Sequence, residues 1–143
     1  MKEDVRVRMK TRQVQPPEAA KEEPFEMTAE GVWRRGDTEH RLIFHEPEGP
    51  GGEKVRDTVI VEEAACRIRR AGAVNTELHF VPEETRPCVY ETEVGAVELS
   101  LRTKKLARRI WDDRLMVHIE YEVLAGEDVV SAHIVDIKAE RVK

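Results

Sequence analysis

Two apolar stripes in this chain end in opposite charges. Leu42, Phe44 and Glu46 recur at spacing two, and so do Cys66, Ile68 and Arg70. Residues two apart on a strand share a face, so Glu46 and Arg70 should follow their apolar companions toward the interior. A charge in such a place is costly unless paired. Either Glu46 and Arg70 pair with each other as a structural ion pair, or they face the polar group of a ligand.

Other polar groups fall in the same phase. Tyr90, Thr92 and Tyr121 place hydroxyls at positions in phase with apolar residues, and His133 shares its face with Val129, Val135 and Ile137. Small polar groups scattered through an apolar interior make an orienting ligand pocket, and they equally make a core with its hydrogen bonds satisfied. His118, Glu120 and Glu122 lie opposite Val117, Ile119, Tyr121 and Val123, which marks the HxExE face as solvated rather than metal-binding. Neither Ser100 nor Ser131 sits in a nucleophile elbow, no histidine pairing matches HExxH, and Cys66 and Cys88 have no CxxC partner. The expectation is a non-enzymatic protein with no metal and no cofactor, its cysteines reduced in a cytoplasmic core. Arg35-Gly36-Asp37 reads as turn chemistry rather than an adhesion signal. Arg67 and Arg69 with Lys104, Lys105, Arg108 and Arg109 suggest an alternative function, a basic exterior stripe across neighbouring strands that contacts RNA or protein. The net charge of -5 and the scarcity of aromatics argue against a general nucleic-acid binder.

Strands must position these groups. Period two runs through Val5 to Thr11, Phe25 to Ala29, Leu42 to Phe44, Val55 to Val61, Val74 to Phe80, Cys88 to Thr92, Val97 to Leu101, Val117 to Val123 and Val129 to Ile137. Turn chemistry separates them at Gln15-Pro16-Pro17, Arg35-Gly36-Asp37, Glu46 to Gly52, Pro82 to Pro87 and Gly126-Glu127-Asp128. Glu62 to Ala71 and Lys104 to Asp113 have helix-forming composition. We read the first as a turn near Glu63 followed by a strand, because Cys66, Ile68 and Arg70 alternate, and the second also as a strand. About nine to eleven antiparallel strands with short connections and no βαβ spacing predict an all-β chain. A single closed or nearly closed up-and-down β-barrel over residues 1–143 is favoured, since closure removes exposed edges. The chain of 143 residues suffices for one core without disulfide or metal staples. Met1 to Lys10 lacks the apolar run of a secretory signal, and no stretch approaches the ~20 apolar residues of a transmembrane helix.

The chain resembles the YwiB-like proteins, bacterial proteins without an assigned activity that have a calycin-type, lipocalin-like barrel. The resemblance spans Val5 to Ile137. It rests on Leu42-x-Phe44-x-Glu46, Thr58, Arg70-x-Gly72-Ala73-Val74, Phe80, Tyr90-x-Thr92-x-x-Gly95 with Thr103 after it, and Ile119-x-Tyr121. The Pro-rich first loop and His133 depart from the pattern. The resemblance implies a fold and a cytoplasmic setting, and brings no catalytic residues. In calycin-type barrels an interior Arg commonly holds a carboxylate, which makes Arg70 the first anchor candidate. The function expected is therefore binding of a small hydrophobic or amphipathic ligand in the lumen by Arg70, Glu46, Tyr90, Thr92, Tyr121 and His133. Its partner is that ligand rather than nucleic acid or a membrane, on a monomer or homodimer.

Overall fold

A computed structural model describes residues 2–15, 25–48, 51–52, 54–72, 75–92 and 95–142, apart from the side chains of residues 15 and 90–92. Among the described residues the regular elements are ten strands: β1 (Lys2–Gln15), β2 (Phe25–Arg35), β3 (His40–His45), β4 (Val55–Val61), β5 (Cys66–Gly72), β6 (Thr76–Phe80), β7 (Thr85–Thr92), β8 (Gly95–Ile110), β9 (Arg114–Ala125) and β10 (Asp128–Arg141). They form one antiparallel sheet in the order β6-β5-β4-β3-β2-β1-β10-β9-β8-β7. Apart from β6 and β7, strands consecutive in sequence pair with each other, and β1 pairs with β10 from Val5↔Arg141 to Gln15↔Ala132. The two ends of the sheet, β6 and β7, come side by side without a ladder. The result is a nearly closed up-and-down barrel, consistent with a calycin-type fold. No helix among the described residues is long and apolar enough to cross a membrane.

The alternation that predicts the strands also builds the core. Val5, Val7, Trp33, Leu42, Phe44, Val59, Val61, Leu115, Val117, Ile119 and Ile137 are all buried within it, and on β1 their outward neighbours Asp4, Arg6 and Arg8 are charged. Both ambiguous segments are strands. Lys104 to Ile110 belongs to β8, whose register shifts between Thr103 and Lys105. One extra residue there reverses the parity, so Leu99, Leu101 and Thr103 face inward before the bulge and Leu106 and Ile110 after it. The spacing of four between Leu106 and Ile110 suits one face of a strand as well as a helix turn.

One break is shorter than its sequence suggests. The turn after β6 ends at Glu84, and Pro87 lies inside β7 opposite Ser100. Proline lacks an N–H and is tolerated on an edge strand, and β7 is an edge. The turn itself seals part of the seam: Glu83 N–H donates to the Thr103 carbonyl at 3.2 Å, and Thr103 N–H donates to Glu84 at 3.2 Å. Gly31 is required where β2 crosses β3, since a Cβ would lie 2.6 Å from the Ile43 carbonyl oxygen and 2.9 Å from the Phe44 Cβ.

One end of the barrel is filled. Trp33, fully buried, donates its indole N–H to His40 Nδ1 at 3.1 Å. Arg35 lies 3.9 Å over the Trp33 ring and donates to the carbonyls of Trp111 and Asp112 and to Glu3. The arginine of the Arg35-Gly36-Asp37 turn is thus turned onto the barrel end. Burial, then the nearby Arg35 and Arg108, hold the His40 imidazole below its ordinary pKa. Neutral His40 can then accept the indole proton.

Candidate functional site

The opposite end is open and carries the charges. Glu46 follows β3 by one residue and is held by its backbone N–H, which donates to the Val55 carbonyl at 2.9 Å. Arg70 sits near the end of β5. Beyond it Gly72 has φ of +124°, and a Cβ there would meet the Lys54 carbonyl oxygen at 2.3 Å. Only glycine lets β5 close so tightly on β4. Arg70 donates Nε–H to Glu46 Oε2 and an NH2 proton to Glu46 Oε1, both at 2.9 Å. The sequence left this pair or a ligand contact open, and the fork and carboxylate meet in bidentate geometry.

A third group completes the cluster. Asp57 on β4 lies in register with Phe44 on one side and Arg70 on the other. It is wholly buried, its Oδ1 is 3.7 Å from Arg70 Nε, and neither carboxylate oxygen has a hydrogen-bond partner when both acids are ionised. Burial, then the adjacent Glu46 carboxylate, push the Asp57 carboxyl up to about 8 against the pull of Arg70. Burial would also raise Glu46, yet the hydrogen bonds from Arg70 and Asp57 outweigh it and hold Glu46 below its ordinary value. At neutral pH the trio is therefore Glu46 ionised, Asp57 protonated and donating toward Glu46, and Arg70 charged. Its net charge is zero.

Glu46 and Arg70 line a cavity of about 650 Å³ that opens at this end. Its body is apolar, with Ile68, Leu78, Phe80, Leu99, Val123 and Val135 among the walls. Tyr121 and His133 line it as well, stacked with ring centroids 5.0 Å apart, and Phe80 leans on Tyr121 at 4.9 Å. Ser131 Oγ is 2.7 Å from His133 Nε2. At the rim Phe25 and Val130 stay exposed. Register shifts in β1 and β10 fall at this end too, where bulges commonly shape barrel rims.

Of the candidates named from sequence, Glu46, Arg70, Tyr121 and His133 meet at this cavity. Tyr90 and Thr92 lie on β7, and their side chains fall outside the described residues. Asp57 was missed although it carried a signal: it is an acid in phase with Val55, Val59 and Val61. His118, Glu120 and Glu122 point outward. The two ring nitrogens of His118 meet Asp136 at 2.6 Å and Glu120 at 2.7 Å, and first Glu120, then Asp136, raise its pKa. No group of metal-ligating side chains assembles among the described residues.

The basic stripe does not assemble as one band. β5, with Arg67 and Arg69, is separated from β8 by β6 and β7. Arg67 pairs with Glu62 and Arg69 with Glu77. Arg108 lies opposite Val117 on the inward row and acts on buried His40. An outer depression of about 330 Å³ lies over Arg8, Arg109, Met116 and Lys138, but its His118 and Asp136 are already paired.

Comparison with known proteins matches residues 7–137 to a domain of unknown function, DUF1934. The chain belongs to the DUF1934 family. A solved structure titled as the YwiB protein from Bacillus subtilis superposes on this DUF1934 chain with a TM-score of 0.82 at 21% identity, covering 99% of this chain and 94% of that one. At that identity the likeness concerns the barrel alone. No curated protein matches the sequence. Within this DUF1934 barrel, the functional argument rests on the lumen and its charged mouth.

Proposed function

We propose that this barrel is a non-enzymatic, cytoplasmic binding module whose lumen takes a small amphipathic ligand. The carrying observation is the cavity of about 650 Å³, apolar along its walls and polar at its mouth. That size lies in the range of ~300–1,000 Å³ typical of ligand sites. Apolar burial supplies affinity, and the few polar groups at the entrance set which end enters first. Both cysteines are buried and free, and burial pushes the Cys66 thiol up to about 12, which fits inert thiols in a reducing compartment. On the exterior Arg67, Arg69 and Lys104 are paired with Glu62, Glu77 and Glu122, which favours the lumen over a polyanion surface.

Native mass spectrometry of the purified protein, compared with denaturing conditions, tests the reading. The expected result is an excess mass that is lost on denaturation, or uptake of an added eight-carbon amphiphile by the empty protein. A clean mass together with no uptake of any such probe would overturn it.

A further inference from the structure

The charge arrangement at the mouth names the kind of headgroup, on the reading that the lumen binds a ligand. We propose that the ligand carries a cationic amine, seated against Glu46 with Asp57 behind it, and an apolar tail along Ile68, Leu78 and Phe80.

The argument is a count of charges in a confined place. Two carboxyl groups, Glu46 and Asp57, share one guanidinium. Arg70 gives both of its forked donors to Glu46. Asp57, wholly buried, has both oxygens left without a donor unless it keeps its proton. A ligand carboxylate would have to displace Glu46 from Arg70 and would place three carboxyl groups against one guanidinium. A neutral headgroup changes nothing in the balance. An amine adds the missing positive charge, so that Arg70 and the ammonium face Glu46 and Asp57, two against two. Glu46 lines the cavity and offers the contact; Asp57 acts as a positioning residue behind it.

Binding must then release a proton. The free trio holds Asp57 protonated, and the arriving ammonium favours its ionised form, so the Asp57 proton passes to solvent as the complex forms. The other charged or titratable groups facing this space are Arg70 from β5 and, across the lumen, Tyr121 from β9 and His133 from β10. Thr76 and Asn75 at the β6 end are neutral. A His133→Asn variant therefore accompanies the pH series, so that imidazole titration is separated from that of Asp57.

The test is titration calorimetry of the intact protein with octylamine, octanoate and octanol, each in two buffers of different ionisation enthalpy. The expected outcome at pH 7 is octylammonium binding about tenfold or more tighter than the other two, with release of close to one proton. That release should fade above pH 8 and be absent in Asp57→Asn, whose amine affinity at high pH falls, while His133→Asn keeps it. Octanoate or octanol binding as tightly as the amine overturns the headgroup assignment and leaves the lumen reading standing. Proton release unchanged in Asp57→Asn overturns the role of the acid pair. Amine binding undiminished in Leu78→Trp, which fills the cavity, places the amine on the acidic exterior and overturns the proposal. Binding of none of the probes overturns both this proposal and the lumen reading.

Discussion

The two ends of this barrel are made by the same strands and solve the burial of polar groups in opposite ways. At the filled end Trp33, His40, Arg35 and Glu3 form a closed set in which donors meet acceptors: indole to imidazole, guanidinium to carbonyls and carboxylate. At the open end Arg70 serves Glu46 fully and Asp57 only at 3.7 Å, beside a cavity. A satisfied polar network rigidifies a core, whereas a partly satisfied one carries the cost of an unpaired buried group that a further partner would relieve. On the proposed reading, the difference gives stability to one end and recognition to the other.

The largest effect should come from Trp33→Ala, which empties the filled end and strips His40 of its donor. Urea denaturation should show a loss of about 3–5 kcal/mol, against about 1 kcal/mol for Leu78→Ala, whose side chain already borders open space. Equal losses would break the comparison.

Next is Asp57→Asn. A buried acid whose folded pKa is raised from 3.8 to about 8 binds its proton more tightly folded than unfolded. Its contribution is fully present below the unfolded value and is lost as pH rises toward 8. Asparagine keeps a donor toward Glu46 without the proton. At pH 8 the variant should be more stable than the parent by about 1–3 kcal/mol, and its stability should decline less between pH 5 and 8. A less stable variant at pH 8 would contradict the account of the mouth.

The filled end should respond with the opposite sign. The folded pKa of His40 is lowered, so its contribution is present above the unfolded value of 6.5 and is lost as pH falls below it. Going from pH 7 to 5 should cost the parent about 1 kcal/mol more than His40→Gln. Reading the slope as a difference from that variant removes His118, whose raised pKa acts in the reverse direction. The smallest effect should be Arg69→Ala, whose pair with Glu77 is about half exposed on each side. A change above ~0.5 kcal/mol would be unexpected for such a pair.

Much of this was legible in the residues. Val55 to Val61 has the same limits in the alternation and in the barrel, and the Glu46–Arg70 pair is one of the two arrangements that phase alone left open. Asp57 shared that phase, but one acid among valines was read as part of a strand rather than as a partner for its neighbours. Arg108 was misplaced for a different reason: the bulge at Thr103 and Lys105 reverses parity midway along β8, and nothing in the local composition marks it. The stripe joining Arg67 and Arg69 to Lys104 failed because sheet order depends on which distant strands pair. Local periodicity specifies faces; it does not specify neighbours.

The pairing of β1 with β10 has a consequence for how the molecule is made. Glu3 meets Arg141 across 138 positions of chain, and the whole ladder between these strands joins the first strand of the barrel to its tenth. Hairpins from β2 to β6 and from β7 to β9 can zip locally as they emerge, while one edge of β1 has to wait for β10. High contact order of this kind slows folding, and the waiting edge of β1, with Val5 and Val7 on its apolar face, is the part of the nascent chain most exposed to mispairing with another copy.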